Sequence, residues 1–233
     1  MIPKKIHYCW FGKQPLPRFA KKCISSWQKY LPDYEIKEWN EANFNVELFP
    51  YAKEAYDSHK YAFVSDVARL YALYNEGGIY LDTDIEIIKT LDTLLDNEAF
   101  SGFEMNNNIT TGIMASIKGG KWVKDILEYY KSKHFILSDG KMDLTPNPII
   151  VTNYLLKNGL KKSNTFQNLP GIITIYPKDY FCPLENHKLV ITVNTICIHH
   201  YEGSWFSGFQ RFKRLISRLL GHKLSYYISK FIR

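Results

Sequence analysis

Residues 77–86 read GGIYLDTDIE: two glycines, an apolar run, then two aspartates one residue apart, Asp82 and Asp84. Just upstream, residues 61–75 carry apolar side chains at helical spacing, and the Gly-Gly pair fits a left-handed helix stop. The stretch therefore spells helix, sharp turn, strand. The run IYLDTDIEII predicts one strand on which Tyr80, Asp82 and Asp84 share a face. The same alternation holds elsewhere. KIHYCWF at 5–11 reads as an opening strand with Ile6, Tyr8 and Trp10 on one face. Phe19, Ala20, Cys23, Ile24, Trp27, Tyr30 and Leu31 recur at helical spacing between Pro17 and Pro32. YEIKEW (34–39) is a second strand. Helices follow at 121–131 and in TPNPIIVTNYLLKNG (145–159), and short strands return in GIITIYP, KLVITVN and TICIHHY between 171 and 201. Strand alternating with helix predicts an α/β domain with a mixed, mostly parallel sheet.

A chain of 233 residues can bury a large core, and its 45% hydrophobic and 15% aromatic content excludes disorder. No apolar run is long enough to cross a bilayer, and MIPKKIHYCWFG lacks the pattern of a secretory signal. Cys9, Cys23, Cys182 and Cys197 have neither zinc-type nor redox-type spacing and read as core thiols of a reducing compartment. The expectation is a cytoplasmic protein. The net charge of +7 is local: residues 203–233 hold seven Lys or Arg and no acid, so the remainder is neutral. That excludes a broad nucleic-acid-binding face. Two units are expected, a catalytic domain over 1–207 and a basic tail over 208–233. In GFQRFKRLISRLL, Phe209, Phe212, Leu215, Ile216, Leu219 and Leu220 fall within an arc of about 140° at helical spacing. Such a helix suits an anionic membrane surface, at about 1 kcal/mol per basic residue. The alternative is a stripe docked on the protein's own domain or on a second subunit.

A chain with 11 Asp acquires an Asp-x-Asp by chance about every other time, so the pair needs company. At the carboxyl end of a strand it could hold a hard divalent cation, which in turn neutralises a diphosphate. Three further segments provide the company. AFVSDVARL (62–70) places Asp66 and Arg69 on one helical face beside Ser65. IPKKIHYCWFG opens the chain, and IHHYEGSW (198–205) closes the domain.

In this order, over residues 2–206, the four segments resemble glycosyltransferase family 32, which holds DXD-containing capsular-polysaccharide transferases and α-mannosyltransferases. They are similar, more distantly, to the catalytic domains of clostridial glucosylating toxins. The resemblance implies a GT-A fold, a nucleotide-sugar donor, Mn2+ (or Mg2+) and retention of anomeric configuration. It implies further that Asp82 and Asp84 are the catalytic motif and, with His200, the metal ligands, His199 or Glu202 being alternatives to His200. Donor contacts would come from Tyr8 and Trp10 at the base, Asp66 and Arg69 at the sugar hydroxyls, Tyr80 and Asp82, and Ser204 and Trp205 at the diphosphate. Glu104, Asn106, Asn107 and Asn147, in polar loops, are candidate acceptor or sugar contacts. The expected reaction moves a hexose from UDP-hexose, or from GDP-mannose, to a saccharide acceptor carried on a lipid, in capsular or surface polysaccharide synthesis. The enzyme would sit peripherally at the inner membrane face.

Read singly, each feature has a plainer meaning. Trp10 can be core, Asp66 and Arg69 an exposed ion pair worth a few tenths of a kcal/mol, and His199-His200 a solvated strand end. Two rival functions stand beside the transferase. A haloacid-dehalogenase-type phosphatase also uses Asp-x-Asp, but Glu86 stands where its motif takes Thr or Val. A nucleotide-sugar-binding module without turnover would use almost the same residues.

Overall fold

The computed structural model describes residues 1–185 and 188–202. Ser204, Trp205 and the basic tail at 208–233 lie outside the described residues. In chain order the elements are β1 (Lys5–Cys9), α1 (Arg18–Tyr30), β2 (Glu35–Trp39), α2 (Pro50–Asp57), α3 (Tyr61–Glu76), β3 (Gly78–Leu81), β4 (Ile85–Ile87), β5 (Ala99–Gly102), β6 (Ile113–Ser116), α4 (Lys121–Lys131), α5 (Asn147–Lys157), β7 (Gln167–Leu169), β8 (Ile173–Tyr176), β9 (Leu184–Glu185), β10 (Lys188–Leu189) and β11 (Cys197–His199). Seven strands form one sheet in the order β2-β1-β3-β6-β5-β8-β7. Strands β1, β2, β3, β5 and β8 run one way and β6 and β7 the other, so the sheet is mixed and mostly parallel.

Each face of the sheet is covered by apolar residues that the strand alternation delivers to it. On one side Cys9, Tyr80 and Met114 pack with Val64, Val67, Leu70 and Leu73 of α3 and with α2, α4 and α5. On the other, Ile6, Tyr8, Ile79 and Leu81 pack with Trp27 of α1 and with Ile85 and Ile87 of β4. Helix α3 stops at Gly77, whose φ of +68° suits glycine, and Gly78 follows at +105°, where a Cβ would stand 2.6 Å from the Lys5 carbonyl oxygen. Only two glycines let the chain reverse and enter β3 so close to β1. His7 bolts the same corner. Its Nδ1 accepts the Trp39 indole N–H at 3.0 Å, so its Nε2 carries the proton and donates to the Gly77 carbonyl at 2.7 Å.

The stretch expected as a single strand, IYLDTDIEII, is two. β3 ends at Leu81, Asp82 to Asp84 form a turn closed by Ile85 N–H to the Asp82 carbonyl (3.0 Å), and β4 leaves the main sheet to pair antiparallel with β11. The shared strand face assigned to Asp82 and Asp84 is thus replaced by a turn. Helix α1 stabilises the departure: Trp27 Nε1 donates to the Ile85 carbonyl (2.7 Å), and Ser26 Oγ accepts from Ile87 N–H (2.9 Å). Among the described residues no helix is long and apolar enough to cross a membrane. All four cysteines are free and buried.

Candidate active site

Because β1, β2, β3 and β5 run the same way, their carboxyl ends open on one edge of the sheet. Trp10, Asp82 and Glu104 leave it there, and Gly112 arrives there just before β6. The Asp82 N–H donates to the Gly112 carbonyl at 2.8 Å, which fixes the turn against that loop. Oδ1 of Asp82 accepts the Tyr80 hydroxyl at 2.8 Å and lies 3.5 Å from Nη2 of Arg69.

Arg69 organises this corner. It is almost wholly buried, its guanidinium stacks on the Tyr80 ring (4.6 Å), Nη2 pairs with Asp66 at 3.0 Å, and Nη1 and Nε donate to the carbonyls of Thr111 (2.7 Å) and Ser65 (3.1 Å). Asp66 and Arg69 are therefore no exposed i, i+3 pair. One planar, always-charged group ties α3 to the acidic turn and to the Thr111 loop at once. Burial raises the Asp66 carboxyl to about 6, against the pull of Arg69. Asn147 lies beneath them, buried, donating Nδ2 to the Asp66 carbonyl (3.3 Å) and the Tyr130 hydroxyl (3.1 Å). It supports the pair from inside rather than facing an acceptor.

Asp84 is held from the other side. Its Oδ2 accepts the Glu202 N–H at 2.8 Å, its carbonyl accepts the His200 N–H at 3.1 Å, and Oδ1 lies 3.5 Å from Nε2 of His199. Burial alone would raise the Asp84 carboxyl, but the His199 ring beside it holds it below the usual carboxylate range. Burial likewise opposes the charged form of His199, and the Asp84 carboxylate more than reverses this, holding the ring well above the ordinary imidazole value. Asp82, Asp84 and His199 each bring one ligand atom within 4.8 Å of the others.

The histidine brought to the acidic pair is thus His199. His200, expected in that place, turns to the opposite side, where its Nε2 bonds Glu86 (2.8 Å) and its ring meets the edge of Phe19. Adjacent residues of an extended strand present opposite faces, and the register of β11 against β4 sends His199 inward. Gly112 makes room for it. A Cβ at that position would stand 2.8 Å from Cε1 and 3.0 Å from Nδ1 of His199, and 3.3 Å from Oδ2 of Asp82.

The remaining expected residues fall unevenly. Glu104 lies beside the site; burial pushes its carboxyl up to about 7, opposed by His199 and assisted by Asp82. Asn106 and Asn107 occupy a left-handed turn beyond it (φ 60° and 52°), the Asn107 Nδ2 donating to the Lys162 carbonyl at 3.3 Å. Trp10 lines an open cleft of about 340 Å3 with Lys13, Gln14, Glu38, Asn40, Glu41 and Ala42. Tyr8 is not exposed in that cleft. Its ring packs edge-on to Trp27, and it reaches the cleft only through its hydroxyl bond to Glu38 (2.6 Å).

Residues 17–101, which carry Asp66, Arg69, Asp82 and Asp84, match the family model described as a glycosyltransferase sugar-binding region containing a DXD motif. Over that span the chain is similar to that family. Inositol phosphoceramide mannosyltransferase 3 of Schizosaccharomyces pombe is 32% identical over 133 residues, 54% of this chain and 36% of its own. Mannosyl phosphorylinositol ceramide synthase CSH1 of Saccharomyces cerevisiae is 25% identical across 100% of this chain and 59% of its own. The chain therefore spans between about a third and three-fifths of the length of these relatives. Among solved structures, the PaToxG glycosyltransferase superposes with a TM-score of 0.51 at 19% identity, over 67% of this chain and 68% of that one, and carries the GT-A fold. The sequence pointed to the carboxylates but not to Gly112, whose only signal is its place in TTGIM.

Proposed function

We propose that the protein is a glycosyltransferase that moves a hexose, with retention, from a nucleoside-diphosphate sugar to a saccharide hydroxyl on a lipid-borne acceptor. The observation that carries the reading is the meeting of Asp82, Asp84 and His199 at the sheet edge beside the Trp10 cleft. Two carboxylates and an imidazole are a donor set for a hard or borderline divalent cation such as Mn2+ or Mg2+. The fit is local as well as chemical, since the missing Cβ of Gly112 leaves the ring and Asp82 Oδ2 side by side. These three residues would hold the cation, and the chemistry it would supply there is neutralisation of the charge on a departing diphosphate.

The protein's own work is to aim. Arg69 and the Tyr80 hydroxyl hold Asp82 by one oxygen, leaving Oδ2 for the cation, while the Glu202 N–H holds Asp84. In this reading the Asp66 carboxylate, fixed by Arg69, would bond a sugar hydroxyl, and Trp10 would stack on the base. No protein nucleophile is assigned: with retention, the departing phosphate oxygen can take the acceptor proton on the same face. The names of the relatives favour mannose, and so GDP-mannose over UDP-hexose as donor, and a sphingolipid-like over a capsular acceptor. Docking at an anionic membrane through 208–233, in the cytoplasm, rests on the sequence of the tail alone.

Incubation with Mn2+ and a panel of UDP- and GDP-sugars tests the reading through slow hydrolysis of one donor. Asp84→Asn should reduce that hydrolysis at least a hundredfold with an unchanged circular dichroism spectrum. Tight donor binding with no hydrolysis or transfer would instead make the chain a binding module. Unchanged turnover in Asp84→Asn would remove the acidic turn from the chemistry.

A further inference from the structure

Behind His199, on the side away from Asp84, lies a second group of donors. Cys182 Sγ is 4.0 Å from Nδ1 of His199, and Glu104, Cys182 and His199 each place one ligand atom within 4.8 Å of the others. The three come from separate segments held by backbone bonds. The His199 N–H donates to the Phe181 carbonyl (3.2 Å), fixing Cys182 against β11, and the Glu104 N–H donates to the Asn108 carbonyl (2.8 Å), fixing the turn after β5. Tyr201, in the left-handed region at φ 53°, stacks on the His199 ring at 3.9 Å. A non-glycine residue held there is backbone strain of the kind that collects at functional sites.

We propose that Glu104, Cys182 and His199 form a second metal site, selective for Zn2+, whose occupation switches off the site of Asp82, Asp84 and His199. The inhibitory half rests on the transferase reading above; the metal site does not. A thiolate, an imidazole and a carboxylate are the ligands of a tetrahedral zinc with one position left for water, and sulfur disfavours Mn2+ and Mg2+. The sulfur–nitrogen pair needs little change: sulfur and nitrogen on one tetrahedral zinc stand about 3.6 Å apart, a contraction of a few tenths of an ångström from the 4.0 Å present. Binding releases to solvent the Cys182 thiol proton, the Nδ1 proton of the charged His199 ring and, where the carboxyl is protonated, that of Glu104.

Exclusion follows from the ring they share. A neutral imidazole has one lone pair. Zinc on Nδ1 leaves the proton on Nε2, where it donates to Asp84, and that nitrogen cannot then ligate a cation held by Asp82 and Asp84. Two adjacent sites thus sort metals by softness and compete for His199.

Cobalt(II) reports thiolate ligation directly. The reduced full chain, titrated with Co2+, should develop a near-ultraviolet sulfur-to-cobalt charge-transfer band that Zn2+ bleaches. The band should vanish in Cys182→Ser and Cys182→Ala and persist in Cys23→Ser. In the donor assay with excess Mn2+, Cys182→Ser should need at least tenfold more Zn2+ than wild type for half inhibition. No band in the wild type, or a band that survives both Cys182 variants, overturns the site. A band with equal zinc sensitivity in wild type and Cys182→Ser overturns the exclusion. Absence of any turnover would defeat the transferase reading while the cobalt band still decided the site.

Discussion

Gly112→Ala puts a single methyl group against the proposed metal site. The new Cβ would stand 2.8 Å from Cε1 and 3.0 Å from Nδ1 of His199, where ordinary contact begins near 3.4 Å, so the ring must retreat by about 0.6 Å. Retreat is obstructed, because Tyr201 stacks on one face at 3.9 Å and Cys182 lies 4.0 Å from Nδ1. A misplacement of about 1 Å can cost about a hundredfold in rate. The shift here should therefore cost roughly 10- to 100-fold in kcat/KM, about 1.4–2.7 kcal/mol of transition-state stabilisation. Overpacking costs about 1–3 kcal/mol of stability, partly offset by about 0.4–1 kcal/mol from the stiffer unfolded chain. Tm should fall by only about 2–8 °C. Free Mn2+ counted by electron paramagnetic resonance gives the affinity, donor hydrolysis gives the rate, and a thermal melt gives stability. If Gly112→Ala keeps wild-type Mn2+ affinity and turnover within twofold, then His199 does not ligate from where it stands and the argument fails.

Trp10→Ala should raise the donor KM by roughly 5- to 150-fold with a Tm within a few degrees of wild type, since stacking is worth about 1–3 kcal/mol per base; a lower Tm with unchanged KM would make Trp10 a packing residue. For His7, burial is the largest influence and lowers its pKa, so the folded state favours the neutral ring that accepts from Trp39. The sign then follows: the stability contributed is fully present above the unfolded value of about 6.5 and is lost as pH falls below it. The Tm difference between wild type and His7→Asn should accordingly be largest at pH 8 and shrink toward pH 5, and a difference constant across that range would contradict the neutral bolt.

The α/β class was legible because its signals are local: α3 reads at helical period, Gly77 and Gly78 punctuate it, and α4 lies on the span that its apolar spacing predicts, 121–131. Helix α2 and the strands β5 and β6 were not foreseen. They are short, and β6 is held in place by neighbours on both sides of a sheet whose pairing no local pattern encodes. The acidic turn shows the same limit. Alternation in IYLDTDIEII reads as one strand, yet β4 finds its partner in β11, more than a hundred residues on, and the chain must bend between Asp82 and Asp84 to reach it. Choosing between His199 and His200 needs that register too, because a shift of one residue exchanges the two faces. The spacing of Asp66 and Arg69 was legible, but their burial was not, since it depends on the Thr111 loop and on Tyr80.

The central claim is that Asp82, Asp84 and His199 together hold the working cation. Mn2+ affinity, measured by electron paramagnetic resonance on wild type, His199→Asn and His200→Asn under identical conditions, tests it most directly. Affinity should fall at least tenfold in His199→Asn and change less than threefold in His200→Asn, whose ring engages Glu86 instead. The reverse order, or equal affinity in all three proteins, would contradict it.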